Sequence, residues 1–257
     1  MVIPPCASLF IMLFIHSNRH CFDIVTPIGP KDVEHLENQI EYTKRNVVGY
    51  RNIYIVPHDP GIELDGCITI PESLFPFSIE DVIHYHGKQR RNGWYLQQLL
   101  KLYVGFLVPE MLDRYLVVDS DTYFLRPTNF IHDGKPLFNP GTRCQNPDFV
   151  HMRKMHPSLE KLYDLSGISH HMMFEQKYIK ELFDLVENYH KKEFWKVFLE
   201  KVEHPNWQGA SEYEIYFHYM LNNHRQDIKI RFLNWKNARD LSSHREYDYI
   251  SCHWHLR

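Results

Sequence analysis

Two aspartates, Asp119 and Asp121, are separated by one residue and directly follow residues 115–118, a run that is apolar at every position. Such a run is typical of a strand buried on both faces. Carboxylates at the carboxyl end of such a strand lie where open α/β sheets bind their ligands. Two close carboxylates repel each other unless one is protonated or a cation lies between them. The pair therefore predicts a site for a hard divalent ion such as Mn²⁺ or Mg²⁺, which also binds phosphate oxygens.

The chain before this pair predicts the elements that must position it. Residues 22–27 read as a short strand that ends at a proline. A helix opens after Gly29-Pro30, and its apolar residues keep helical spacing up to Lys44. A second apolar run, residues 52–56, is the next strand. Because strand, helix and strand alternate, we predict the α/β class, with a mostly parallel central sheet flanked by helices in a single domain.

The rest of the chain mixes strong and weak signals. Prolines between residues 57 and 87 indicate a loop, whereas residues 94–106 predict a strong helix. The remaining predicted elements are a Pro/Gly-rich stretch at 127–147, helices at 176–190 and 193–202, a helix capped by Ser211 that ends at Leu221, and strands at 228–233 and 248–252.

The chain resembles the GT-A glycosyltransferases in residues 93–127, GWYLQQLLKLYVGFLVPEMLDRYLVVDSDTYFLRP, where a helix, a short loop and a hydrophobic strand deliver the D-x-D motif. Within that superfamily it is similar to a little-characterised glycosyltransferase-like group. The motifs of that group occur here in order, as Thr26-Pro27, Gly93 to Lys101, Ser211-Glu212-Tyr213 and His253-Trp254. The resemblance implies a GT-A-like (Rossmann-like) domain over residues 22–257, preceded by an N-terminal extension, residues 1–21.

The resemblance also implies an activity. A sugar of the hexosyl kind would pass from a nucleoside diphosphate sugar, with UDP-sugar as the expected donor, to an acceptor that the sequence does not identify. Asp119 and Asp121 would hold Mn²⁺ or Mg²⁺ against the diphosphate. A histidine near the C-terminus completes the metal shell in many such enzymes, and His253 is the match here, with His255 as its rival. His253 read alone fits a core histidine equally well.

Further site residues follow from their positions in the matched motifs. Glu212 is the candidate catalytic base, although it could instead hydrogen-bond the acceptor or cap its own helix. Lys101 stands where related enzymes place a basic residue, and a surface lysine of the helix is the alternative. His170 and His171 belong to a segment that resembles the acceptor-side loop. The predicted donor-binding residues are Thr26, Gln97, Lys101, Asp119, Ser120 and Asp121.

Composition limits the partners. The 257 residues carry a formal net charge of −3, so no basic field favours nucleic acid. The cysteines number five without a C-x-x-C pair, and no N-x-[ST] sequon occurs, which favours a reducing, cytoplasmic compartment. Residues 8–15 form an apolar run that is too short for an integral membrane span, and no basic residue precedes it. A secretory location follows only if this run acts as a signal.

Two other functions use the same residues. A D-x-D phosphohydrolase would use Asp119 as nucleophile and Asp121 as acid/base. In such enzymes the motif ends the first strand and a Thr or Val stands two residues after the second Asp, whereas Tyr123 stands there in this chain and about a hundred residues come before the motif. A non-catalytic sugar- or nucleotide-binding protein with a GT-A fold would keep the same carboxylates and aromatic residues.

Overall fold

The computed structural model describes residues 22–142, 145–207, 209–242, 244, 246–253 and 256, so the predicted extension 1–21 and His255 lie outside the described residues. The strands are β1 Phe22–Ile28, β2 Val47–Val48, β3 Tyr50–Pro57, β4 Ile68–Thr69, β5 Arg114–Val118, β6 Thr122–Phe124, β7 Thr128–Asn129, β8 Ile131–His132, β9 Lys135–Phe138, β10 His171–Glu175, β11 Lys229–Ile230, β12 Trp235–Asn237 and β13 Tyr249–Ser251. The α-helices are α1 Leu36–Asn46, α2 Ile79–His86, α3 Asn92–Leu107, α4 Asn146–Met155, α5 Gln176–His190, α6 Phe194–Glu200 and α7 Glu212–Asn223.

The central sheet has the strand order β10-β5-β1-β3-β4. β1 pairs in parallel with both β3 and β5, and β4 continues the parallel order at one edge. β10 closes the other edge antiparallel to β5. Helix α3 packs on β1 and also contacts α2, α5 and α7. The structure thus confirms the predicted α/β class with a mostly parallel sheet flanked by helices.

β1 lies at the centre because its side chains suit burial on both faces. All seven of its residues are buried, including the carboxylate of Asp23. A buried charge is costly unless it is paired and hydrogen-bonded. Arg51 provides the pair, with its Nη2 2.7 Å from Asp23 Oδ2. The backbone N–H groups of Asn52 and Leu112 also donate to this carboxylate. Asp23 therefore ties β1 to the segments that enter β3 and β5.

Sequence patterns located most of the long elements and missed some short ones. The helix predicted over residues 176–190 is confirmed at those bounds as α5. The stretch predicted as loop before residue 87 contains α2, which begins with a capping box between Ser78 and Asp81. The Pro/Gly-rich stretch contains the short strands β7 to β9. The segment after His170, read as a loop, is strand β10.

A second, smaller sheet brings the end of the chain to the D-x-D segment. β13 pairs antiparallel with β6 and parallel with β12. Because β6 begins directly after Asp121, the turn that follows β13 is delivered beside that carboxylate. Ser251 faces Thr122 in this register. The strand predicted over residues 248–252 is confirmed as β13. None of the described helices combines the length and the apolar character needed to cross a bilayer.

Gly167 holds the segment before β10 against helix α7, and we expect Gly167→Ala to destabilise the protein. A Cβ at this position would meet the backbone oxygen of Tyr213 and would lie 2.5 Å from Phe217 Cβ, so rigid atoms would have to move. Overpacking of this kind costs about 1–3 kcal/mol of unfolding free energy. Gly93 in α3 is the matched control, since a Cβ there meets no atom within 4 Å. Gly93→Ala should leave stability unchanged or slightly higher. Equal melting temperatures for both variants would contradict the argument.

Candidate active site

Asp119 stands at the carboxyl end of β5 in a tight turn. Its backbone N–H donates to His170 O at 2.9 Å, and the N–H of Thr122 donates to Asp119 O at 2.9 Å. These bonds join β5, the segment before β10 and β6 at one point. The side chains of Asp119 and Asp121 are only 21% and 13% exposed. The turn therefore fixes two largely buried carboxylates at the edge of the sheet where α/β folds bind ligands.

Lys101 is buried on α3 and bridges two acids. Its Nζ lies 2.6 Å from Asp119 Oδ1 and 2.7 Å from Glu212 Oε1. The ammonium also lies 4.4 Å above the ring of Tyr213, whose hydroxyl donates to Asp119 Oδ1 at 2.8 Å. The structure thus brings together Lys101, Asp119 and Glu212 and adds Tyr213 to them. A lysine on the helix surface, the alternative for Lys101, is wrong because the residue is 4% exposed.

The pKa values of this group follow from burial and pairing. Burial would lower the pKa of Lys101, but Asp119 and Glu212 raise it above its usual value, so the ammonium stays charged. Burial would raise the pKa of Asp119, but the charges of Lys101 and His170 hold it well below its usual range. Burial raises the pKa of Glu212, and the charge of Lys101 opposes that rise only in part. Glu212 is therefore the carboxylate of this group that binds a proton most readily.

Asp121 is held by the last residue of β13 and by the two residues that follow it. Ser251 Oγ donates to its Oδ1 at 2.9 Å, and His253 Nδ1 lies 2.8 Å from its Oδ2. The N–H of Cys252 donates to the backbone oxygen of Asp121 at 2.7 Å. Burial would raise the pKa of Asp121, but the hydrogen bond and charge of His253 lower it below its usual value. The C-terminal segment therefore keeps Asp121 oriented and ionised.

His170 completes the cluster from the segment before β10. Its φ is 61°, in the left-handed region that non-glycine residues rarely adopt. Its Nδ1 lies 3.5 Å from Asp119 Oδ2. Its ring packs edge-on against Trp235 and His253, each with ring centroids 4.9 Å apart. Backbone strain of this kind concentrates at ligand sites, where the surrounding structure maintains it.

These groups fit a divalent cation. One ligand atom each from Asp119, Asp121 and His170 can be chosen so that the three lie within 4.8 Å of one another. Two carboxylate oxygens and one imidazole nitrogen suit Mn²⁺, and the carboxylates also suit Mg²⁺. His253, the predicted third ligand, contacts the carboxylate of Asp121 through Nδ1, and its role as a metal ligand stays a prediction. Histidines and carboxylates in that position orient the metal ligands of many proteins.

The other predicted donor-binding residues lie at the same edge of the sheet. Ser120 Oγ donates to Asp32 Oδ2 at 2.9 Å, which ties the D-x-D turn to the segment after β1. Gln97 Nε2 donates to Pro27 O at 3.3 Å. Thr26 is fully buried in β1, and its hydroxyl has no hydrogen-bond partner among the described residues. Their contacts with a donor stay a prediction.

His170 and His171, both predicted on the acceptor side, point in different directions. The ring of His171 packs against Phe124, Phe130 and Tyr249. Burial among these aromatic rings lowers the pKa of His171 to about 3. The structure therefore brings His170, but not His171, to the acidic cluster.

Sequence reasoning named some of the neighbours without assigning them a role. Tyr213 belongs to the Ser-Glu-Tyr motif, and Ser251 lies two residues before His253. Gln98 accepts a hydrogen bond from the N–H of Glu212 at 3.0 Å and so fixes the start of α7 against α3. Trp235 had no sequence signal, because it reaches His170 only through the pairing of β12 with β13.

Comparisons with known proteins place this arrangement in a family. No curated protein matches the sequence. The solved structures that resemble it include the crystal structure of mouse xyloside xylosyltransferase 1 in its apo form, with 10% sequence identity, a TM-score of 0.48, and coverage of 90% of this chain and 97% of that chain. The family model of DUF6492, a family of unknown function, matches residues 3–248. Because that match spans nearly the whole sequence, the chain belongs to the DUF6492 family.

Proposed function

We propose that this protein is a metal-dependent glycosyltransferase that uses a nucleoside diphosphate sugar, with UDP-sugar as the expected donor. The observation that carries the proposal is the trio of Asp119, Asp121 and His170 at the carboxyl end of β5. For a chain with a net charge of −3, a cation between these carboxylates is a direct means of binding a diphosphate. The D-x-D resemblance of residues 93–127 supports the same reading.

The metal would be held by Asp119, Asp121 and His170, with His253 orienting Asp121. When bound, the ion supplies positive charge that stabilises the leaving diphosphate. Thr26 lies near the end of β1, Gln97 reaches that end from α3, and Ser120 lies in the D-x-D turn, where the nucleotide would bind. The chain's own contribution is to hold these groups rigidly before the donor arrives.

Glu212 is our candidate for the general base of an inverting transfer. In that reaction the acceptor oxygen attacks the anomeric carbon, the bond to the diphosphate breaks, and Glu212 takes the proton of the acceptor hydroxyl. Burial raises the pKa of Glu212, which brings the carboxylate closer to the basicity that proton transfer near neutral pH requires. Lys101 holds one oxygen of Glu212 and positions the group against Asp119.

The contacts of Asp121 argue against the phosphohydrolase alternative. That mechanism needs Asp121 to give and take a proton, but both its oxygens already accept hydrogen bonds, from Ser251 and His253. His253 also lowers the pKa of Asp121, so the carboxylate stays ionised at neutral pH and carries no proton to donate. An ionised Asp121 suits the role of metal ligand instead.

The test is a thermal-shift screen of nucleoside diphosphate sugars with and without Mn²⁺, followed by a transfer assay with any donor that binds. A ligand present at 100 times its dissociation constant stabilises the folded state by about 2.7 kcal/mol. We expect such a shift for at least one donor, only with metal, and slow release of nucleoside diphosphate until an acceptor is added. Fast hydrolysis of simple phosphate monoesters, with phosphate trapped on Asp119, would overturn the proposal.

We also propose a reducing, cytoplasmic compartment. Cys67 is a half-buried free thiol, and burial raises the pKa of Cys67, which makes it less reactive. Alkylation of Cys67 after denaturation of protein taken from its native cell would test this, since a Cys67 that reacts only after reduction would indicate an oxidising compartment and overturn the proposal.

A further inference from the structure

A cavity of about 280 Å³ lies away from the acidic cluster, and its wall includes Arg126, Thr128, His132, Leu137, Arg231 and Asp248. The cavity and the candidate active site lie at opposite ends of the ribbon formed by β6 and β13. Asp121 precedes β6 and Arg126 follows it, five residues later. In extended chain this separation is roughly 17 Å at about 3.4 Å per residue. The cavity is therefore a separate site.

Arg231 is the unusual residue of this wall. Its Nη1 donates to the backbone oxygen of Asn129, while its Nε and Nη2 are buried and have no acceptor among the described residues. The guanidinium lies 5.1 Å from the centre of the Phe130 ring. Burial lowers the pKa of Arg231 to about 10, against the opposing charge of Asp248, so the side chain remains charged at neutral pH. A buried cation with so few partners is costly unless an anion lies close to it.

Asp248 does not neutralise the wall. Its Oδ2 accepts from the N–H of Asn234 at 2.7 Å, and its Oδ1 lies 3.4 Å from Arg126 Nε. Two guanidinium groups, Arg126 and Arg231, thus face one carboxylate, and with His132 neutral the sum of these charges is +1. This local excess stands out because the whole chain has a net charge of −3.

We propose that this cavity binds the oxyanion group of a small ligand, a carboxylate or a phosphoryl group, against Arg126 and Arg231. The volume is close to the lower end of known ligand pockets, about 300 Å³, and admits a small anionic molecule. Arginine suits both anions because its planar fork pairs with two oxygens. The site is independent of the proposed sugar transfer, since none of its wall residues belongs to the acidic cluster.

The proposal is tested by calorimetric titration with two probes, inorganic phosphate and glucuronate, in buffer of constant ionic strength that contains a chelator. The chelator keeps the probes from binding through a metal at Asp119 and Asp121. We expect the wild-type protein to bind at least one probe at millimolar concentration or below. Preference between the two probes tells whether the site takes a phosphoryl group or a carboxylate.

The variants are Arg231→Met, which keeps the volume of the side chain, and Arg126→Gln, which alters a half-exposed residue and should leave the fold intact. Each should weaken binding by at least about tenfold, equivalent to about 1.4 kcal/mol. Arg153→Met is the matched control, because Arg153 is exposed on α4 and should not affect binding. Should Arg231→Met fail to fold, Arg126→Gln decides alone. If neither probe binds to the wild type, or if Arg126→Gln binds with the same affinity as the wild type, the proposal is overturned.

Discussion

Asp119→Asn and Asp121→Asn should each abolish Mn²⁺-dependent binding of a nucleoside diphosphate sugar. Each change removes a negative charge and replaces one of the two carboxylate ligands in the cluster with His170 by a neutral amide, a weaker ligand. A donor that stabilises the wild type by about 2.7 kcal/mol, at 100 times its dissociation constant, should give no metal-dependent shift in either variant. Thermal-shift titration with donor, in Mn²⁺ and in chelator, is the measurement.

The matched control for this pair is Asp184→Asn. Asp184 is an exposed carboxylate on α5 that pairs with Lys180 one turn away at 2.8 Å, and solvent screens this interaction strongly. The Asp184→Asn variant loses the same charge as the two site variants, but far from the cluster, so its binding of the donor should equal that of the wild type. If Asp119→Asn and Asp121→Asn also bind donor and Mn²⁺ as the wild type does, the cluster is not the metal site and the proposed function fails.

The D-x-D segment shows what local sequence determines. Residues 115–118 are apolar at every position because β5 is covered on both faces, and the acids follow at the first position that ligands can reach. The N-terminal cap of α7 was equally predictable from the sequence. Ser211 Oγ accepts a hydrogen bond from the N–H of Glu214 at 3.3 Å, as the Ser-x-x-Glu pattern predicts. Sequence patterns within one turn or one strand predict local structure well because the residues that interact there are adjacent in sequence.

The partners of the acids were harder to predict because they come from distant segments. Lys101 lies 18 residues before Asp119, and Glu212 lies 111 residues after Lys101. Only the packing of α3 on α7 makes these three side chains one group. The separation of His170 from His171 also depends on tertiary structure. The ring of His170 packs against Trp235 and His253, which come from the C-terminal part of the chain, whereas the ring of His171 packs against Phe124 and Tyr249.

Lys101→Met should destabilise the protein more than any other single change at the site, because one buried cation serves two carboxylates. Without Lys101, the carboxylate of Glu212, whose side chain is 4% exposed, loses its ion pair. Asp119 loses its contact with the ammonium group and keeps its contact with His170. Removing one partner of a buried ion pair costs about 3–5 kcal/mol of unfolding free energy. Chemical denaturation at neutral pH measures this loss. Lys180→Met on the surface of α5, where the pair with Asp184 is exposed, should leave the free energy of unfolding nearly unchanged.

Glu212→Gln separates stability from catalysis in the same group. The amide keeps the shape of Glu212, and Lys101 retains Asp119 at 2.6 Å, so the loss of stability should be smaller than for Lys101→Met. If Glu212 is the base, transfer to an acceptor should fall by about 10²–10⁴-fold while donor binding is kept. In the double variant Lys101→Met/Glu212→Gln, no buried carboxylate is left unpaired at position 212. The loss of unfolding free energy in this double variant should therefore be smaller than the sum of the two single losses, by about 0.5–3 kcal/mol. Strict additivity of the two single losses would mean that Lys101 and Glu212 do not interact in solution. Unchanged transfer by Glu212→Gln would mean that Glu212 is not the base, and Lys101 would then position Asp119 alone.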